Sequence, residues 1–186
     1  MAQPFLIVIG SSAGGIEALL ILVSGLPRSF GSPICIAQHL SPSLPSRLPA
    51  ILTRQGNLPA TFPAHGTHLL AGARKIAPPA HDLAVIGRHV VVTPALHMPS
   101  GPSVDRLFAS AASSYGSRVI GVILSGNLTD GTLGLQAVKQ AGGTTIIQNP
   151  REAAYPSMPQ SAQDQCAIDY CVALAQIAPL LQQLAR

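Results

Sequence analysis

Charge is what this sequence has least of. Asp, Glu, Lys and Arg make up 10% of its 186 residues, aromatic residues 4%, and tryptophan is absent. Beside 47% apolar residues, so little charge is the opposite of a disordered tail. The 17 glycines and 17 prolines fall short of the ~25–30% found in aperiodic low-complexity chains. No heptad run points to a coiled coil. Apolar stretches such as Phe5 to Ile9 and Val119 to Leu124 are far shorter than the ~20 residues of a membrane span, so membrane insertion is not expected. Met1 leads within a few residues into a β-like run without a basic segment, and no signal peptide is read.

The formal net charge of +4 matters less than its distribution. The eleven basic residues are scattered from Arg28 to Arg186 and form no stripe that could neutralise a phosphate backbone, so nucleic acid is not an expected partner. Only seven acids exist: Glu17, Asp82, Asp105, Asp130, Glu152, Asp164 and Asp169. Any carboxylate that orients a catalytic group must come from these. The three cysteines, Cys35, Cys166 and Cys171, stand in apolar surroundings without metal-type spacing. They read as reduced, buried thiols of a cytoplasmic protein.

What the chain does have is alternation. Phe5 to Ile9 is a continuous apolar run, as expected of a strand buried on both faces, and Ile16 to Leu26 has helical spacing. Pro33 to Ala37 reads as the next strand, ending at Gln38-His39, and an amphipathic segment runs from about Leu48 to Arg54. Between Leu58 and Pro94 short apolar pieces predict short strands and a hairpin, Asp82–Ile86 with Arg88–Val92, turning at Gly87. Helices are predicted over Ser103–Ala112, Thr132–Gln140 and Ala173–Leu184, and strands over Arg118–Leu124 and Thr144–Ile147. No repeat or linker divides residues 1–186. The expectation is one α/β domain: a doubly wound, mainly parallel sheet with helices on both faces and a short antiparallel hairpin. Ligands of such sheets sit at the carboxyl ends of the strands.

Three strand-end loops carry reactive side chains. Gly10-Ser11-Ser12-Ala13-Gly14 fits G-x-S-x-G between a strand and a helix, which would project the Ser12 hydroxyl beside backbone N–H groups able to hold an oxyanion. The same residues also suit a helix N-cap at Ser11 or Ser12. A phosphate loop fits less well, since its lysine and full glycine pattern are missing. A serine needs a base, and among His39, His65, His68, His81, His89 and His97 only His39 ends a buried strand that should lie beside Ser12. A packed or solvent-facing histidine is the alternative there. The acid that fixes the imidazole tautomer falls best on Asp130, in a Gly-containing loop after the most apolar strand; an N-cap for Thr132–Gln140 is its other reading. Asp82 at a hairpin strand and Asp105 in a first helical turn fit less well. One Ser, one His and one Asp from three separate loops point together to a serine hydrolase. The order Ser12, His39, Asp130 after a single strand does not fit the α/β-hydrolase pattern.

Six segments occur in a familiar order: Ile9-Gly-Ser-Ser-Ala-Gly-Gly15, Ala37-Gln-His-Leu40, Ile76-Ala-Pro-Pro79, Pro102-Ser-Val-Asp105, Gly121-Val-Ile-Leu-Ser-Gly126 with Asp130-Gly131, and Tyr155-Pro-Ser-Met-Pro159. Over essentially its whole length the chain resembles the catalytic domain of the CheB-type chemotaxis protein-glutamate methylesterases. The resemblance implies a cytoplasmic hydrolase that removes methyl groups from glutamate methyl esters on the cytoplasmic helices of chemoreceptors and, in some members, deamidates receptor glutamines. It implies Ser12 as nucleophile, His39 as base and Asp130 as orienting acid, with no metal or organic cofactor. It also places a backbone oxyanion donor at Asn127, beside the helix-start donor at Ala13. Ala13 stands where the family often has a hydroxyl residue, Asn127 where methionine is commoner, and Pro99-Ser-Gly101 where basic residues are frequent. Two-domain members begin with a receiver domain. The expectation here is a stand-alone enzyme, served by a separate regulatory partner, or an excised domain. The alternative is a non-catalytic or substrate-diverged binding module in a bacterial signalling complex.

Overall fold

The computed structural model describes residues 4–95 and 101–185. Its main sheet has seven strands, all parallel: β1 (Leu6–Ser11), β2 (Ile34–Gln38), β3 (Ala60–Thr61), β4 (Arg74–Ile76), β7 (Val119–Ile123), β8 (Thr144–Gln148) and β9 (Tyr170–Val172), in the order β3-β4-β2-β1-β7-β8-β9. β5 (His81–Ile86) and β6 (His89–Pro94) form a separate antiparallel hairpin that turns at Gly87.

β1 lies at the centre because both its faces are apolar. Leu6 and Val8 point into one core cluster, Ile7 and Ile9 into the other, as the two-residue period of a strand requires. One face is covered by α1 (Gly15–Ser24), α2 (Leu48–Gln55) and α6 (Leu174–Leu184), through Leu19, Leu22, Leu52, Ile177 and Leu181. The other face carries α3 (Val104–Tyr115), α4 (Thr132–Gln140), α5 (Ser157–Gln165) and the hairpin, through Phe108, Leu135, Met158 and Leu83. The strand sequence leaves β1 first towards β2 and then, from α3 onward, towards β7, so the topological switch lies beside β1. That is where an open α/β sheet opens a crevice.

The region from Leu58 to Pro94 holds the expected short strands as well as the hairpin: β4 pairs parallel to β2, and β3 parallel to β4, extending the main sheet. α5 and β9 lie in a stretch that the periodicity left unassigned. Cys35 is buried, but Cys166 is half-buried and Cys171 exposed, so the expectation of three buried thiols fails at Cys171, which ends up on the edge strand.

Candidate active site

Ser12, His39 and Asp130 follow β1, β2 and β7 directly or within a short loop, and the strand order β2-β1-β7 brings them together. His39 Nδ1 lies 3.1 Å from Ser12 Oγ, and His39 Nε2 lies 2.9 Å from Asp130 Oδ2. The side chains of His39 and Asp130 are only 7% and 8% exposed, so water competes little with this contact.

The chain of bonds has a direction. Burial works to raise the Asp130 pKa, but the His39 hydrogen bond and the N–H groups of Val104 and Asp105 outweigh it and hold the carboxyl below the usual aspartate value. An ionised carboxylate only accepts, so His39 donates from Nε2 and leaves the Nδ1 lone pair facing the Ser12 hydroxyl. The geometry suits removal of the serine proton.

The N-cap readings do not describe what these residues do. The N-cap of α1 is Gly14, and that of α4 is Gly131, neither with a side-chain cap. Ser11 instead donates to Gln38 Oε1 at 2.6 Å. Asp130 does cap a helix, but a distant one: Oδ2 accepts from Val104 N at 2.8 Å and Oδ1 from Asp105 N at 3.0 Å, at the start of α3. Asp105 returns the arrangement, its Oδ1 accepting from Gly131 N at 3.0 Å and Gly134 N at 2.6 Å at the start of α4. Burial and the neighbouring Asp130 carboxylate push the Asp105 pKa up despite those two N–H donors.

Several supporting residues carried no signal strong enough to assign a role from sequence. Gln38 is buried, and its Nε2 donates to the carbonyls of Ser12 (2.8 Å) and His39 (2.9 Å), tying the two loops together. Ser125 donates from Oγ to Ala13 O at 2.8 Å and accepts from Tyr155 N at 2.9 Å, while its own N–H goes to Gln148 Oε1. Both Gln38 and Ser125 sit inside the recognised segments, but a polar side chain facing inward at a strand end has no periodic signature. Gly14 has φ 68, and a Cβ there would stand 2.8 Å from Ser125 Oγ. At Gly126 a Cβ would be 2.1 Å from Met158 Sδ and 2.9 Å from Ser12 Cβ. Only glycine admits such close packing of the three loops.

Ala13 and Asn127 flank this arrangement. Among the described residues, no hydrogen bond occupies the backbone N–H of either one. Asn127 is exposed and Ala13 half-buried.

The other histidines lie elsewhere. His65 Nδ1 is 3.1 Å from Val92 O, His81 Nδ1 2.8 Å from Pro79 O, and His68 packs edge-on against His89 at 4.9 Å between ring centroids. His97 and the Pro99-Ser100 stretch fall outside the described residues. Among the described residues no cluster of three or more His, Cys, Asp or Glu could hold a metal ion, and no helix is long and apolar enough to cross a membrane.

The chain is similar to proteins of known kind. A relative from Leptospira interrogans named protein-glutamate methylesterase/protein-glutamine glutaminase is 35% identical over 187 residues, covering 96% of this chain and 93% of the relative. Protein-glutamate methylesterase/protein-glutamine glutaminase 2 of Anaeromyxobacter dehalogenans is 35% identical over all of this chain, which spans 54% of that longer protein. The crystal structure of the Thermotoga maritima CheB methylesterase catalytic domain superposes with a TM-score of 0.90 at 30% identity, over 98% of this chain and all of that domain. These likenesses favour a hydrolase over a non-catalytic binding module. With residues 7–181 matching the family itself, the chain belongs to the CheB methylesterase family.

Proposed function

We propose that this chain hydrolyses glutamate methyl esters on the cytoplasmic helices of chemoreceptors, with Ser12, His39 and Asp130 as its catalytic groups. The observation that carries the reading is the hydrogen-bonded line from Ser12 Oγ through His39 to Asp130, in a chain of this family.

In this mechanism Ser12 Oγ attacks the ester carbonyl while His39 Nδ1 takes its proton. The tetrahedral oxyanion is held by the unengaged N–H groups of Ala13 and Asn127, a donor arrangement worth several kcal/mol at a dry site, ~3 for one donor. Collapse breaks the bond to the methoxy oxygen, His39 returns its proton, and methanol departs. Water, deprotonated by His39, then hydrolyses the acyl-enzyme to free Ser12 and a glutamate carboxylate. Asp130 stays ionised throughout and stabilises the imidazolium. A glutamine side chain follows the same path with ammonia as leaving group, which accounts for a glutaminase activity at the same residues.

A serine-directed phosphonate tests the nucleophile. Peptide mass mapping should find the adduct on Ser12, and His39→Ala should slow its formation by on the order of a thousandfold. An adduct on another serine, or equal labelling of the His39→Ala variant, would remove the assignment.

A further inference from the structure

Asp82 is one of the few acids of the chain and is buried, 7% exposed, at the second position of β5. Its Oδ1 accepts from Ser103 N at 2.8 Å and its Oδ2 from Arg106 Nη1 at 2.9 Å. Ser103 is the N-cap of α3, and the next two N–H groups, those of Val104 and Asp105, are the ones that hold Asp130. Three successive N–H groups of one helix start are thus divided between two carboxylates. The first goes to the hairpin, and the second and third go to the acid that faces His39. A helix start leaves these groups without partners inside the helix, so their direction fixes where an outside acceptor sits.

The same segment bears on all three loops of the site. The Val104 side chain is fully buried, and a Cβ added at Gly10 would stand 2.2 Å from its Cγ1, one added at Gly131 2.8 Å. Gly10 precedes Ser12 by two residues, and Gly131 directly follows Asp130. Gly101, with φ 110, lies against the His39 loop, where an added Cβ would be 3.0 Å from Leu40 O and 3.6 Å from His39 Cα. We infer that Asp82 is a positioning residue for the catalytic groups: it anchors the start of α3 to the hairpin, and through that segment it sets Asp130 against His39. The inference rests on the reading of Ser12, His39 and Asp130 given above. The ion pair with Arg106 contributes less, because the Arg106 side chain is 48% exposed and a solvated pair is worth little. What Asp82 supplies is an acceptor for Ser103 N at a fixed place.

The rate at which a serine-directed phosphonate labels Ser12 tests this, with the final stoichiometry counting the folded sites. Asp82→Ala removes the acceptor. Its labelling should reach one adduct per chain but about tenfold more slowly than in the wild type, within the range that a misplaced catalytic group costs. For methanol release from a methylated receptor fragment, kcat should fall with it and KM should stay unchanged. Asp82→Asn keeps an oxygen for Ser103 N and gives up only the ion pair, so its rate should stay within about twofold of the wild type. Should the alanine variant fail to fold, Asp82→Thr takes its place: a strand accommodates threonine, and its hydroxyl ends one atom short of the carboxylate oxygens, so the same slowing is expected. A lower melting temperature or stoichiometry with an unchanged labelling rate would make Asp82 merely structural and overturn the proposal. Equal slowing in Asp82→Ala and Asp82→Asn also overturns it, since the lost group would then be the charge. Labelling of the wild type without methanol release would overturn the esterase reading and leave the Asp82 assignment standing; no labelling of Ser12 in the wild type would overturn both.

Discussion

Asp105 and Asp130 exchange helix caps. Each carboxylate accepts backbone N–H groups at or beside the helix start where the other resides: Asp130 from Val104 and Asp105 in the first turn of α3, and Asp105 from Gly131 and Gly134 around the start of α4. The loop bearing Asp130 is thereby fixed from two sides. Its Oδ2 reaches His39 from a position it cannot leave without exposing N–H groups. Asp105 is thus a positioning residue for Asp130.

Replacing Asp105 separates charge from hydrogen bonding. Asp105→Ala leaves the Gly131 and Gly134 N–H groups without their acceptor and should cost about 1–2 kcal/mol of stability, together with most of the esterase activity. Asp105→Asn keeps one acceptor oxygen and removes a like charge beside Asp130. Denaturant titration at neutral pH should show Asp105→Asn at least as stable as the wild type. If both variants lose stability equally, the exchanged caps are not what holds the loop.

The two carboxylates respond to acid in opposite senses. Asp130 has a lowered pKa in the fold, so its contribution is complete above the ordinary aspartate value of 3.8 and disappears as pH falls through the lower folded value. Asp105 has a raised pKa; its contribution is present below the ordinary value and is lost as pH rises through the folded one. Urea midpoints measured from neutral pH into acid should drop less for Asp130→Asn than for the wild type. A larger drop in the variant would reverse the sign assigned to Asp130.

Crowding at Gly126 offers a structural check on the serine loop. A methyl group there meets Met158 Sδ at 2.1 Å and Ser12 Cβ at 2.9 Å. Gly126→Ala should cost about 1–3 kcal/mol, as overpacking does, and displace Ser12, lowering kcat more than it raises KM. Unchanged kcat with full stability would show that the three loops are not packed this tightly.

Thiol reactivity follows burial. Burial raises the Cys35 pKa to about 12, although Lys75 nearby lowers it slightly, whereas Cys171 is exposed on the edge strand. Iodoacetamide at pH 8 should alkylate Cys171 in the native protein and reach Cys35 only after denaturation. Early modification of Cys35 would contradict its place between β1 and β4.

The long elements were legible in the sequence because their periods are unambiguous. β1, β2, β7 and β8 are apolar runs bounded by turns, and helix Thr132–Gln140 has the predicted bounds. α5 was not legible: its sequence is mostly Ser, Gln and Asp, and only four of its residues, Met158, Pro159, Ser161 and Ala162, are buried. β3 and β4 are two and three residues long, too short for any alternation to show. Ser12, His39 and Asp130 stood out because each follows a strong strand. Gln38 and Asp105 act through backbone groups brought near by the fold, across 26 residues or more in several of those bonds, and nothing local marks them.

Methanol release from methylated receptor membranes tests the central claim most directly, with wild-type chain and Ser12→Ala assayed side by side. The account predicts release by the wild type and a fall by a factor on the order of a thousand or more in the variant, whose circular dichroism and melting temperature stay those of the wild type. Equal release by the two proteins, or none by a folded wild type, would contradict it.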